Sequence, residues 1–159
     1  MKNLNKSDVP IFILCGGMGT RMKEETEFKP KPMVEIGTKP LVFHIMKSYA
    51  RYGFNHFVLC LGFKSEYVKD YFLNRRYLAN DFSVTSGSDN VKVLSSNEVE
   101  NWQIDLVDTG SNCMTGGRIA RAYDRYYSNK EIFGVTYGDG ICDTDIQSAF
   151  DFHQNNHSI

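Results

Sequence analysis

Long apolar runs, paired cysteines and a surplus of either charge are all missing from this sequence, and each absence excludes something. No apolar run approaches membrane-crossing length, and the polar start MKNLNKSDVP has no signal-peptide core. The formal net charge is −1, so no global field draws in nucleic acid or an anionic membrane, and any anion must be held by local groups. The four cysteines, Cys15, Cys60, Cys113 and Cys142, are scattered without a CxxC pair. They read as free thiols of a cytoplasmic protein rather than as a disulfide framework or a zinc site. Two familiar phosphate loops are absent too. No Lys-Ser/Thr follows the glycines Gly16, Gly17 and Gly19, as a P-loop requires, and Met22 stands where a dinucleotide fingerprint needs its third glycine. No nucleophile is paired with a base, so a covalent intermediate is not indicated.

What is present is a chain of 159 residues, 42% hydrophobic and 23% charged. That is enough for one domain burying roughly 68–70% of its unfolded surface. Residues 1–8 read as a frayed tail and 9–159 as the domain. The apolar runs VPIFIL (9–14), HFVLCLG (56–62) and EIFGVTYGDG (131–140) predict strands buried on both faces. Helical spacing marks 39–53, 64–72, 117–127 and 143–154, with Gly53 stopping the first and Asp143 expected to cap the last. Between them, 82–96 and 101–108 alternate and are broken by turn residues, which predicts short strands. This alternation of strands and helices predicts a parallel α/β sheet, which binds ligands beyond the carboxyl ends of its strands.

Three segments could carry chemistry there. The glycines before Arg21 would let backbone N–H groups approach phosphate oxygens, or would simply make a tight turn. In KPKP each proline stiffens the residue before it, so Lys29 and Lys31 are either aimed cations or exposed charges on a rigid linker. Glu24, Glu25 and Glu27 are expected to neutralise their neighbours or face water. YGDG places Asp139 between Gly138 and Gly140, as a magnesium ligand with room for phosphates or as a turn. Asp143 and Asp145 read as helix-start residues. DTGSNCMTGGR (108–118) could line a planar base, with Arg118 reaching a base oxygen or phosphate, or be a mobile surface loop. Of the histidines, His44 and His153 are expected to pack on helix faces and His56 and His157 to lie on the surface.

The strings LCGGMGTRMKEETEFKPKPMVEIGTKPLVFHIMKSY, VDTGSNCMTGGRIAR and YGDGICDTDI resemble the sugar nucleotidyltransferase family, and within it the glucose-1-phosphate cytidylyltransferase branch, from about Val9 to His157. The resemblance implies a Rossmann-like three-layer α/β/α fold with a mostly parallel sheet. It implies an Mg2+-assisted in-line displacement in which glucose 1-phosphate attacks the α-phosphorus of CTP, giving CDP-glucose, as in bacterial surface polysaccharide biosynthesis. Carried over position by position, Leu14, Cys15, Gly16, Gly17, Met18, Gly19, Thr20 and Arg21 would form the nucleotide loop. Arg21 and Lys31 would balance charge on the phosphates and serve as the catalytic cations. Cys113 falls in the base loop, Arg118 matches a substrate-binding arginine, and Gly138 and Asp139 match the sugar-proximal loop and a magnesium ligand. Family members continue beyond the helix at 143–154 into strands that complete the sheet and hold the sugar. The chain is therefore expected to be the nucleotide-binding part alone, with an open sheet edge that favours a homo-oligomer. Two other expectations stand beside it: a nucleotide-binding module without turnover, or the same chemistry with another base or sugar.

Overall fold

The computed structural model describes residues 5–17, 29–95 and 100–156. Four strands, β1 (Ile11–Leu14), β4 (His56–Leu61), β7 (Gln103–Asp108) and β8 (Gly134–Tyr137), form one sheet in the order β7-β4-β1-β8, every pairing parallel. Parallel neighbours need crossovers, and helices supply them: α1 (Leu41–Ala50), α2 (Ser65–Leu78) and α3 (Thr115–Ala122). A last helix, α4 (Ile146–Asn156), follows β8. Two small antiparallel ladders stand apart, β2 (Glu35–Ile36) with β3 (Lys39–Pro40), and β5 (Phe82–Val84) with β6 (Val91–Val93).

The central strands β1 and β4 are almost wholly buried because both of their faces are covered. On one face Ile11, Ile13, Phe57, Leu59 and Leu61 pack with Val42, Ile45 and Met46 of α1 and Val68 of α2, and Ile146 and Phe150 of α4 lie against the same cluster. On the other, Phe12, Val58, Cys60 and Val107 pack with Ala122 of α3 and with Tyr127. Helices on both sides of a parallel sheet make the expected three layers. Tyr127 reaches its place because α3 runs on into one π-helical stretch, Tyr123–Tyr127, which turns the ring edge-on to Phe12 at a centroid distance of 5.3 Å. Among the described residues no helix is long and apolar enough to cross a membrane.

Several expectations need correcting. β8 is not buried on both faces: among the described residues β1 is its only strand neighbour, and Val135 and Tyr137 are exposed. The last helix is capped by Asp145, not Asp143; its carboxylate accepts from the Ser148 amide at 3.1 Å and from Ser148 Oγ at 2.7 Å. The second helix runs on to Leu78, six residues past the pattern that announced it. Of the expected tail, residues 6–8 form a 3-10 turn, and the Lys6 ammonium donates to Gln147 of α4. His56 is buried instead of lying on the surface, while His153 is exposed instead of packed. The physical reason in both cases is the neighbour that the fold supplies: Asp105 for His56, and no covering element for His153.

Candidate active site

Strand order locates the site. The chain steps from β1 to β4 to β7 in one direction, then crosses back to lay β8 on the other side of β1. Loops leaving β1 and β8 therefore diverge, and the crevice between them is where sheets of this kind take ligands. A cleft of about 360 Å³ opens there. It is lined by Leu14, Cys15, Gly16 and Gly17 from the exit of β1, by Tyr137 and Asp139 from the exit of β8, by Lys31 and Pro32, and by Cys113, Met114, Thr115 and Arg118.

The two exits are held in close register. Cys15 donates to the Cys60 carbonyl at 3.0 Å and Gly138 to the Leu14 carbonyl at 3.1 Å. A Cβ on Gly138 would lie 2.9 Å from both Cys15 Sγ and Leu14 O, so this glycine is demanded by the close approach of β8 to β1. It does not leave the room for phosphates expected on both sides of Asp139; of the two flanking glycines, Gly140 alone stands in open space. Burial foremost, then Cys60 and Asp139, pushes the Cys15 thiol far above its ordinary value, against a smaller opposing pull from Arg118. Burial likewise pushes Cys60 up to about 12. Both thiols are neutral, and neither is a nucleophile.

The KPKP segment divides its two cations. Pro30 is extended, and Lys31–Met33 form a 3-10 turn instead of continuing the stiff extended run expected before Pro32. The turn carries Lys31 into the cleft, its Nζ 3.7 Å from Asp139 Oδ2. Lys29 points the other way and bonds Glu35 at 2.8 Å; that hydrogen bond raises its pKa. In the cleft, Lys31 and Asp139 thus form a loose, partly exposed pair. Such a pair contributes about 0–1 kcal/mol, so either member can exchange its partner for a ligand at little cost.

Arg118 is built differently from its expected role. It is 5% exposed. Nη1 donates to Leu61 O at 3.1 Å, Thr109 Oγ1 at 2.9 Å and Gly110 O at 2.7 Å, and Nη2 to Gly16 O at 2.8 Å and Ser111 O at 3.1 Å. Its terminal nitrogens are occupied by the protein, not held out to a base or phosphate. Arg121 and Arg125 repeat the theme, donating to Thr109 O at 2.7 Å and Asp108 O at 2.9 Å. In the sequence Arg118 is singled out by its loop motif; Arg121 and Arg125 carry no motif, and their helical spacing from Arg118 is the available signal. Thr109, Tyr137 and Met114 were likewise not singled out. α3 itself starts after Met114 with no side-chain cap, which leaves first-turn amides beside the cleft.

Among the described residues, Asp139 is the one carboxylate that lines the cleft, and no three His, Cys, Asp or Glu side chains converge. Such a donor set fits Mg2+ that arrives with phosphate oxygens and water as its other ligands. Met18, Gly19, Thr20 and Arg21, expected in a nucleotide loop, lie outside the described residues, as do Glu24, Glu25, Glu27 and His157.

A family model described as nucleotidyl transferase matches residues 11–159. The chain belongs to the nucleotidyl transferase family. It is 46% identical over 142 residues to the glucose-1-phosphate cytidylyltransferase of Salmonella typhimurium, covering 89% of this chain and 54% of that protein. It is 43% identical, with the same coverage, to a probable glucose-1-phosphate cytidylyltransferase of Bacillus subtilis. Among solved structures, HddC from Yersinia pseudotuberculosis complexed with GMP-PN superposes with a TM-score of 0.62 at 27% identity, over 91% of this chain and 54% of that one. The chain spans about half the length of the relatives it matches. In this transferase-family chain the matched region takes in the glycine-rich exit of β1.

Proposed function

We propose that this chain carries the nucleotide-binding part of an enzyme that transfers a cytidylyl group from CTP to glucose 1-phosphate, releasing pyrophosphate and CDP-glucose. The observation that carries the reading is the meeting of Lys31 and Asp139 beside the backbone of Gly16 and Gly17, in a crevice at the topological switch point. The choice of cytosine and glucose rests on the names of the Salmonella and Bacillus relatives.

In this reading an oxygen of the sugar phosphate forms the new bond to the α-phosphorus, and the bond from that phosphorus to the pyrophosphate oxygen breaks. The attacking oxygen is already anionic, so the protein need supply no base. Its work is positioning and charge stabilisation. Gly16 and Gly17 let the phosphates approach the backbone, Lys31 and Arg21 offset charge on the phosphates, and Cys113 to Thr115 wall the base side. Asp139 is the residue to hold Mg2+, which when bound would supply positive charge to the phosphate oxygens. Lys31, released from Asp139 in that exchange, would be free for phosphate.

The test is pyrophosphate release with Mg2+, glucose 1-phosphate and CTP, UTP, dTTP or GTP in turn, with Asp139→Asn as control. Release with CTP, absent in the variant, is the expected result. Release with another nucleotide instead would overturn the choice of base. A second reading, nucleotide binding without turnover, is favoured by the cleft's single carboxylate among the described residues, Asp139. CTP binding with no release would select it. The exposed apolar side chains of β8, Val135 and Tyr137, support a homo-oligomer, which sedimentation would report as a mass above that of one chain.

A further inference from the structure

The guanidinium of Arg118 lies where two side chains are missing. A Cβ on Gly16 would fall 2.1 Å from Nη1, and a Cβ on Gly62 would fall 2.3 Å from it. Gly62 is outside the glycine-rich loop and does not line the cleft. Nothing in its φ demands a glycine, because it is not among the glycines of positive φ. What its missing side chain provides is room for Arg118 and for the Gly16 carbonyl that Arg118 holds, which a Cβ would approach to 2.9 Å. An arginine tip normally swings aside cheaply, but this one is held by acceptors from three separate strand exits: Gly16 after β1, Leu61 at the end of β4, and Thr109, Gly110 and Ser111 after β7. It is also a buried cation that pairs with no carboxylate among the described residues. Five dipoles stabilise the charge, and the planar fork lets one group serve them all, which a lysine could not do.

We propose that Arg118, seated in the slot between Gly16 and Gly62, is a positioning residue. It ties the exits of β1, β4 and β7 into one floor, and nucleotide affinity depends on that tie rather than on contact between Arg118 and the ligand. Gly62 is then a functional residue at one remove, retained to keep the slot open. The affinity half of this inference rests on the nucleotide reading above; the tie itself does not.

Two measurements on the full chain test it, with Gly62→Ala, Arg118→Ala and the double variant. In ligand-free protein, amide exchange at 15–17, 62–63 and 109–117 should quicken together in each single variant while the inner amides of β4 keep their protection. CTP affinity, by calorimetric titration, should fall about ten-fold in each single variant. In the double variant it should fall no further, because both changes break one tie. Free guanidinium ion should restore affinity to Arg118→Ala, but not to the double variant, where the added methyl fills the slot. The inference is overturned if Gly62→Ala binds CTP as the parent does while Arg118→Ala does not, for then Arg118 acts by touching the nucleotide. It is equally overturned if the two losses add, or if one exit loosens alone. A parent that does not bind CTP would sink the nucleotide reading, and the exchange data would still decide the tie.

Discussion

Two of the carboxylate-containing clusters among the described residues are built on opposite plans. In the cleft, Asp139 and Lys31 stand 3.7 Å apart, half open to water, with capacity to spare. On the face of the sheet covered by α3, three donors converge on one oxygen of Asp105. Tyr127 donates to its Oδ2 at 2.5 Å, His56 Nε2 lies 2.7 Å from the same oxygen, and Gln103 donates at 3.3 Å. A carboxylate can only accept, so His56 carries its proton on Nε2. Burial raises the Asp105 pKa, but the hydrogen bonds from Tyr127 and His56 outweigh it and hold the group below its ordinary value. Burial and the bond to Asp105 push the Tyr127 phenol up in turn. Groups satisfied by one another hold a fold together, whereas groups left with unused capacity are the ones free to meet a ligand.

That contrast can be broken by experiment. Its most demanding consequence is that Lys31→Ala should lower turnover by about 10²–10³, the loss of one charged transition-state contact. Thermal melting should barely move in that variant, since the pair it breaks is weak. Melting that dropped sharply would place Lys31 with the structural cluster instead. Next comes Tyr127→Phe, which leaves Asp105 short of a donor and should destabilise by about 1–3 kcal/mol. In a chain of this size the melting temperature falls by about 2–4 °C for each kcal/mol, and CTP affinity should not change.

The acid behaviour of Asp105 sharpens the comparison further. Its folded pKa is depressed, so its contribution is fully present above the unfolded value of about 3.9 and is lost as pH falls through the folded one. Denaturant titrations below about pH 4 should therefore show a steep loss of stability in the parent and a shallower one in Asp105→Asn. Equal slopes would remove Asp105 from the acid response. The smallest effect belongs to Lys29→Ala. Its bond to Glu35 is exposed, so stability should stay within about 0.5 kcal/mol and CTP affinity should be unchanged. A ten-fold loss of affinity would mean that both lysines of KPKP serve the cleft.

Much of this was legible beforehand. The short continuous apolar runs at 9–14 and 56–62 are consistent with strands covered on both faces, and that is how β1 and β4 lie. The run at 131–140 had the same look, yet β8 came out half exposed, because a strand's own residues do not say how many neighbours it will have. His56 was misplaced for a related reason. Its burial depends on Asp105 and Tyr127, which lie far along the chain and reach it only through strand register and a π-helical turn.

By itself, the sequence determined which segments become strands and helices, and that glycines, Lys31 and Asp139 belong to loops at strand ends. Period, turn chemistry and proline are short-range effects, and a window of a few residues contains their causes. The tertiary structure alone decided that Lys31 enters the cleft while Lys29 leaves it, that Asp139 meets Lys31, and that Arg118 turns inward to carbonyls in a slot left by Gly16 and Gly62. Those outcomes follow from strand order. Only when β8 crosses back beside β1 do the exits of both strands face one another, and only the packed sheet brings three of its exits within reach of one guanidinium.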